Sequence, residues 1–70
     1  MRRWVLYGSA GSVYYLWVEG KKVTLDDSWI PHGNSSSYYK SEERAIEEAM
    51  KLIDSFKHMG YEVFEYPPID

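Results

Sequence analysis

The chain has 70 residues and 8.3 kDa, with 8 Lys+Arg against 11 Asp+Glu, no cysteine and a formal charge of −3. That length is read as one domain over residues 1–70, since domains rarely divide below roughly 100 residues. The cysteine count excludes a disulfide scaffold or a cysteine zinc module. No apolar run reaches the roughly 20 residues of a transmembrane helix, and the acidic balance disfavours nucleic acid, whose binding draws on a basic patch.

Residues 3–7, Arg-Trp-Val-Leu-Tyr, are β-branched and aromatic and stop at Gly8, which predicts a strand. Gly8 to Ser12 reads as a turn. Residues 13–19, Val-Tyr-Tyr-Leu-Trp-Val-Glu, carry the strongest strand signal in the chain. Gly20-Lys21 then separates two strand-like runs as a two-residue hairpin loop with glycine first, the requirement of a type II′ turn. A loop of that length sets the register. Glu19 faces Lys22, Val18 faces Val23, Trp17 faces Thr24, Leu16 faces Leu25 and Tyr15 faces Asp26. Leu16, Val18, Val23 and Leu25 therefore share an aliphatic face that belongs on the core. Tyr15, Trp17, Glu19, Lys22, Thr24 and Asp26 share the other. A slip of one residue would drive the charges inward.

Residues 27–37 read as a loop rich in Ser, Gly and Asn, and Tyr38-Tyr39-Lys40 as a short strand after it. A helix is predicted over 42–59. Ser41 is its N-cap, and Glu42 and Glu43 suit the positive end of the helix dipole. Ala45, Ile46, Ala49, Met50, Ile53 and Phe56 form one apolar stripe. Glu47 and Lys51 make an i,i+4 pair in the favourable order, and Gly60 supplies the left-handed stop. Tyr61 to Tyr66 reads as a last strand closed by Pro67-Pro68. The expected fold class is α+β: a single antiparallel sheet of four to five strands with one helix packed on one face, in the order β-β-β-(β)-α-β.

The chemistry-bearing residues do not assemble into a catalytic motif. His58 follows Asp54 by four residues near the helix C-terminus, where an imidazolium favours the dipole. His32 stands in the loop with Asp26, Asp27 and Ser28, without the local signature of a nucleophile. Asp26-Asp27, Glu42-Glu43 and Glu47-Glu48 are paired carboxylates, explained by turn propensity, the dipole and a solvated helix face. Gly8 and Gly11 join two strands, whereas a phosphate loop leads from strand to helix. Neither enzyme activity, cofactor nor metal is expected. Asn34-Ser35-Ser36 matches a glycosylation sequon by chance, because Met-Arg-Arg-Trp opens no signal peptide. The expected location is cytoplasmic.

The segment from Tyr39 through Lys40-Ser41-Glu42-Glu43-Arg44-Ala45 to Gly60-Tyr61-Glu62-Val63 has the pattern strand, capped helix, glycine, strand. In this it resembles small phage host-takeover proteins, among them inhibitors of bacterial RNA polymerase, and some anti-CRISPR proteins. The resemblance covers the C-terminal half and is architectural. It implies a phage or mobile-element protein that acts by binding a host macromolecule. The same run resembles the WGR domain of DNA-dependent poly(ADP-ribose) polymerases. There, Trp17-Val18-Glu19-Gly20 replaces the defining Trp-Gly-Arg, with an acid where DNA asks for a base.

One helix covers one face of a sheet, so Tyr15 and Trp17 are expected on an uncovered face, with Trp4 or Tyr7 beside them. The function expected is a small non-enzymatic module that binds protein through that face and the 27–37 loop. Tyr15, Trp17 and Trp29 are the expected contacts, with Glu19, Lys22 and Asp26 setting orientation at the rim. Trp29 has a second reading, as a plug folded back on the sheet edge or helix end. Two alternatives remain: a sheet that stacks nucleic-acid bases, and a self-associating protein whose aromatic face is buried in a homodimer.

Overall fold

Around the Gly20-Lys21 turn, the strands β2 (Val13–Glu19) and β3 (Lys22–Asp27) pair from Glu19↔Lys22 to Tyr14↔Asp27. That is the register the loop length dictates. Gly20 takes φ +60° and Lys21 stays out of the positive region, as a type II′ turn requires. A computed structural model describes residues 1–67. It adds β1 (Arg2–Tyr7), β4 (Asn34–Tyr38), a helix α1 (Glu42–His58) and β5 (Glu62–Glu65). The fold is α+β, one open antiparallel sheet of five strands in the order β4-β3-β2-β1-β5, with the helix on one face.

The covered face is apolar by alternation. Trp4, Leu6, Leu16, Val18 and Val23 meet Ala45, Ala49, Ile53 and Phe56 of α1. Ala45 and Ala49 are wholly buried, and their small side chains let the helix backbone lie close to the sheet. Tyr14, Phe56 and Tyr61 close one end of this core, with ring centroids 4.9–5.9 Å apart. The Tyr61 ring lies over Gly8, where an added Cβ would stand 2.8 Å from it.

Both helix ends are capped as the sequence implies. The Ser41 hydroxyl accepts from the Arg44 N–H at 3.1 Å. At the far end, Tyr61 N–H donates to Phe56 and Gly60 N–H to Lys57, both at 3.0 Å, with Gly60 at φ +93°. This is a Schellman motif, and the Tyr61–Phe56 ring contact is its accompanying apolar contact. β1 and β5 are joined by Arg2, whose Nε and Nη2 each donate to the Glu65 carboxylate at 2.9 Å.

Four expectations are corrected. The 27–37 loop is shorter, because residues 34–38 form β4, and Tyr39-Lys40 lie beyond it. Serine and asparagine have low strand propensity, but an edge strand needs main-chain pairing more than side-chain packing. Here the Ser36 hydroxyl also meets the Thr24 hydroxyl at 2.9 Å. The apolar stripe leaves Met50 at its rim, 37% exposed, while Leu52 packs against the core instead. Lys51 pairs with Glu48 at 3.2 Å rather than with Glu47, which Arg44 takes at 3.4 Å. Finally, β5 is confined to Glu62–Glu65; Pro68, expected to help end it, lies outside the described residues. Among those residues no helix is long and apolar enough to cross a membrane.

Candidate functional site

The face turned away from α1 is built from cross-strand rows. One row runs Arg3–Trp17–Thr24–Ser36, with Tyr66 beside Arg3, since Tyr66 N–H donates to the Arg3 carbonyl at 2.9 Å. The next runs Phe64–Val5–Tyr15–Asp26–Asn34. Above it stand Glu62, Tyr7 and Val13; below it, past the first row, stand Glu19, Lys22 and Tyr38. Six of the twelve aromatic residues thus sit on this side: Tyr7, Tyr15, Trp17, Tyr38, Phe64 and Tyr66.

Among the described residues no helix covers this face, yet Val5 and Thr24 are each only 4% exposed. The larger side chains flanking them in the rows supply the cover. The relief leaves a hollow of about 370 Å³ bordered by Arg3, Tyr15, Trp17 and Tyr66, and a smaller one of about 210 Å³ between Met1, Arg3 and Trp17. Arg3 lies between the two, its guanidinium 5.2 Å from the centre of the Tyr66 ring. Tyr7 and Phe64 make an edge-on pair at 5.9 Å and are about half exposed. Among the described residues Arg3 forms no salt bridge, whereas Lys22 reaches Glu19 at 3.6 Å.

The structure gathers part of the expected set. Tyr15, Trp17 and Asp26 are neighbours on this face. Glu19 and Lys22 are on it too, but at the hairpin end, about 13 Å along β2 from Tyr15. Trp29 is elsewhere, at the opposite end of the sheet, in the loop between β3 and β4. It does not fold back as a plug, being 71% exposed. Its indole N–H donates to the Gly11 carbonyl at 2.8 Å and its backbone N–H to Asp27 Oδ1 at 3.0 Å. The β1–β2 and β3–β4 loops thereby hold Trp29 and the 56%-exposed Ile30 as one tip.

Arg3, Tyr7, Tyr38, Phe64 and Tyr66 are among the face residues that the expected contact set omits. Alternation in 62–66 puts Phe64 and Tyr66 on one side, but not which side. Trp4 and Tyr7 resolve the same ambiguity in β1: Trp4 goes to the core, Tyr7 to the open face.

The loop around His32 offers no catalytic geometry. The Ser28 hydroxyl donates to the Val13 carbonyl at 2.8 Å, and Asp27 accepts from Trp29. Among the described residues no hydrogen bond joins either to His32. Asp27 instead faces Tyr14 across the strands, and its charge raises the Tyr14 phenol above its ordinary value. His58 turns its Nδ1 to the Asp54 carbonyl at 2.8 Å, a local helix contact. No group of three or more acidic or histidine side chains among the described residues could hold a metal ion.

Compared with protein-family models, curated proteins and solved structures, the chain matches none.

Proposed function

We propose that this chain is a small non-enzymatic binding module that docks a protein on its open sheet face. The observation carrying this reading is the concentration of exposed and half-exposed aromatic residues around Arg3 on the face turned away from α1. Aromatic residues and arginine are the side chains most favoured at protein interfaces, and they lose little rotamer entropy on contact. The hollows beside Trp17 give a partner side chain somewhere to seat. Glu19, Lys22, Asp26 and Glu62 supply a charged rim that selects orientation. The Trp29–Ile30 tip is a second contact at the end of the sheet. An inhibitor of phage or mobile-element origin, acting in the cytoplasm, fits this reading through the architectural resemblance of the C-terminal half.

The test is capture of a binding partner by wild type, Trp17→Ala and Lys51→Ala, each checked for an unchanged fold by circular dichroism. Lys51 lies on the exposed helix surface and serves as control. Loss of capture with Trp17→Ala alone supports the face. Equal capture by wild type and both variants rejects it.

A further inference from the structure

We infer that the occupant of the open face is a second copy of this chain, laid on it with strand direction reversed; the inference rests on the docking role proposed above. Two arguments single out a second copy. The first is charge. Arg3 and Lys22 lie toward the hairpin end of the face, and Asp26 and Glu62 toward the loop end. At the hairpin end Lys22 and Glu19 engage each other, so Arg3 carries the net positive charge of that end. The face therefore has a cationic end and an anionic end.

A two-fold axis along the strands would set like ends together, which is repulsive. It would also lay Phe64 and Tyr66 over the serines of β4. A two-fold axis across the strands does the reverse. Each strand then lies over its own counterpart, and the Arg3–Trp17 row lies over the Val5–Tyr15 row of the other copy. Trp17 meets Tyr15, Tyr66 meets Phe64 and Ser36 meets Asn34. Arg3 comes one row and one strand from Glu62, the free cation of one copy near the anionic end of the other. With sheets packed about 10 Å apart, these long side chains span that offset. The contact is isologous and closes on itself as a dimer.

The second argument is area. Five strands about 4.8 Å apart and about 17 Å long give a plane of roughly 400 Å² per copy. Side-chain relief raises the accessible area above the plane, toward the roughly 1,000 Å² in total that a specific interface requires. The reversed arrangement leaves the two Trp29–Ile30 tips at opposite ends of the dimer.

The experiment is solution mass by light scattering from micromolar to millimolar concentration, on wild type, Trp17→Ala, Arg3→Glu, Glu62→Lys and the Arg3→Glu/Glu62→Lys double variant. Within one chain Glu62 lies opposite Tyr7, about 13 Å along β1 from Arg3, so the double variant restores attraction only between copies. The expected result is a wild-type mass of twice 8.3 kDa, at least tenfold weaker association in each single variant, and recovery in the double variant. Isotope-filtered contacts between labelled and unlabelled wild-type copies, Trp17 ring to Tyr15 ring, test the arrangement without any substitution. A mass of 8.3 kDa throughout overturns the second copy; if Trp17→Ala still abolishes capture of another protein, the docking role stands. A dimer indifferent to Trp17→Ala and to the charge exchange overturns the face as its interface. If Trp17→Ala alters neither mass nor capture, both readings fail.

Discussion

Three tryptophans in one short chain meet three different environments. Trp4 is 3% exposed in the core, Trp17 is half-buried on the open face, and Trp29 stands 71% exposed in a loop. Trp4→Ala is expected to cost about 3–5 kcal/mol, the range for deleting a buried aromatic. Trp29→Ala removes chiefly the hydrogen bond to Gly11, for no more than about 1.5 kcal/mol. Urea unfolding of the two variants measures both, and equal losses would contradict the assignment. The Arg2–Glu65 pair sets a pH dependence. The hydrogen bonds from Arg2 hold the Glu65 carboxyl below its ordinary value. The stability from this pair is thus complete above the ordinary glutamate range and is lost as pH falls through the lowered value. Arg2 is shifted upward by the same contact and stays charged, so across the acidic and neutral range Glu65 alone titrates the pair. Both side chains are more than 40% exposed, so solvent screening keeps the effect below about 1 kcal/mol. Glu65→Gln should flatten that part of the acid limb in pH-dependent unfolding curves.

At the scale of elements, the helix and the central hairpin were legible because their determinants are local. Ser41, the two glutamates after it and Gly60 act within one turn of where they stand. The Gly20-Lys21 loop fixes the pairing by its length. Ser41→Ala is expected to lose about 1 kcal/mol by orphaning the Arg44 N–H, and Ser41→Asp to recover most of it; thermal unfolding reads both. β4 was not legible. Asn-Ser-Ser-Ser carries no alternation of apolar and polar residues, the signal by which a strand is read. Its existence depends on β3 offering an unpaired edge. Every residue of β4 is exposed, so its amides should exchange with solvent faster than those of β2, which is paired on both sides. Protection in β4 equal to that in β2 would show the edge to be covered.

Across the whole molecule, sheet and helix share one core, and neither stands alone. α1 has 17 residues and a single buried stripe, and an isolated helix of that length is marginal in water. Unfolding followed by far-ultraviolet circular dichroism and by tryptophan fluorescence should therefore give one coincident transition. A helix signal outlasting the fluorescence change would refute that. The candidate face also exists only at this scale. Tyr15 and Trp17 were readable on it from the hairpin register, but Arg3, Tyr7, Phe64 and Tyr66 joined them only when β1 was inserted between β2 and β5. Trp29, by contrast, stands in a loop whose geometry comes from hydrogen bonds to Val13 and Gly11, distant in sequence.

Loop length, capping groups and alternation act between near neighbours, so the α+β class, the β2–β3 register and both ends of the helix are legible in the chain alone. Strand order, the place of β4 and the side taken by each residue of β1 came only with long-range packing. Arg3-Trp4-Val5-Leu6-Tyr7 has bulky or apolar groups at odd and even positions alike, so alternation could not choose its inner face. Only pairing on both edges and the closeness of α1 could bury Trp4 and Leu6 and leave Arg3 and Tyr7 outside.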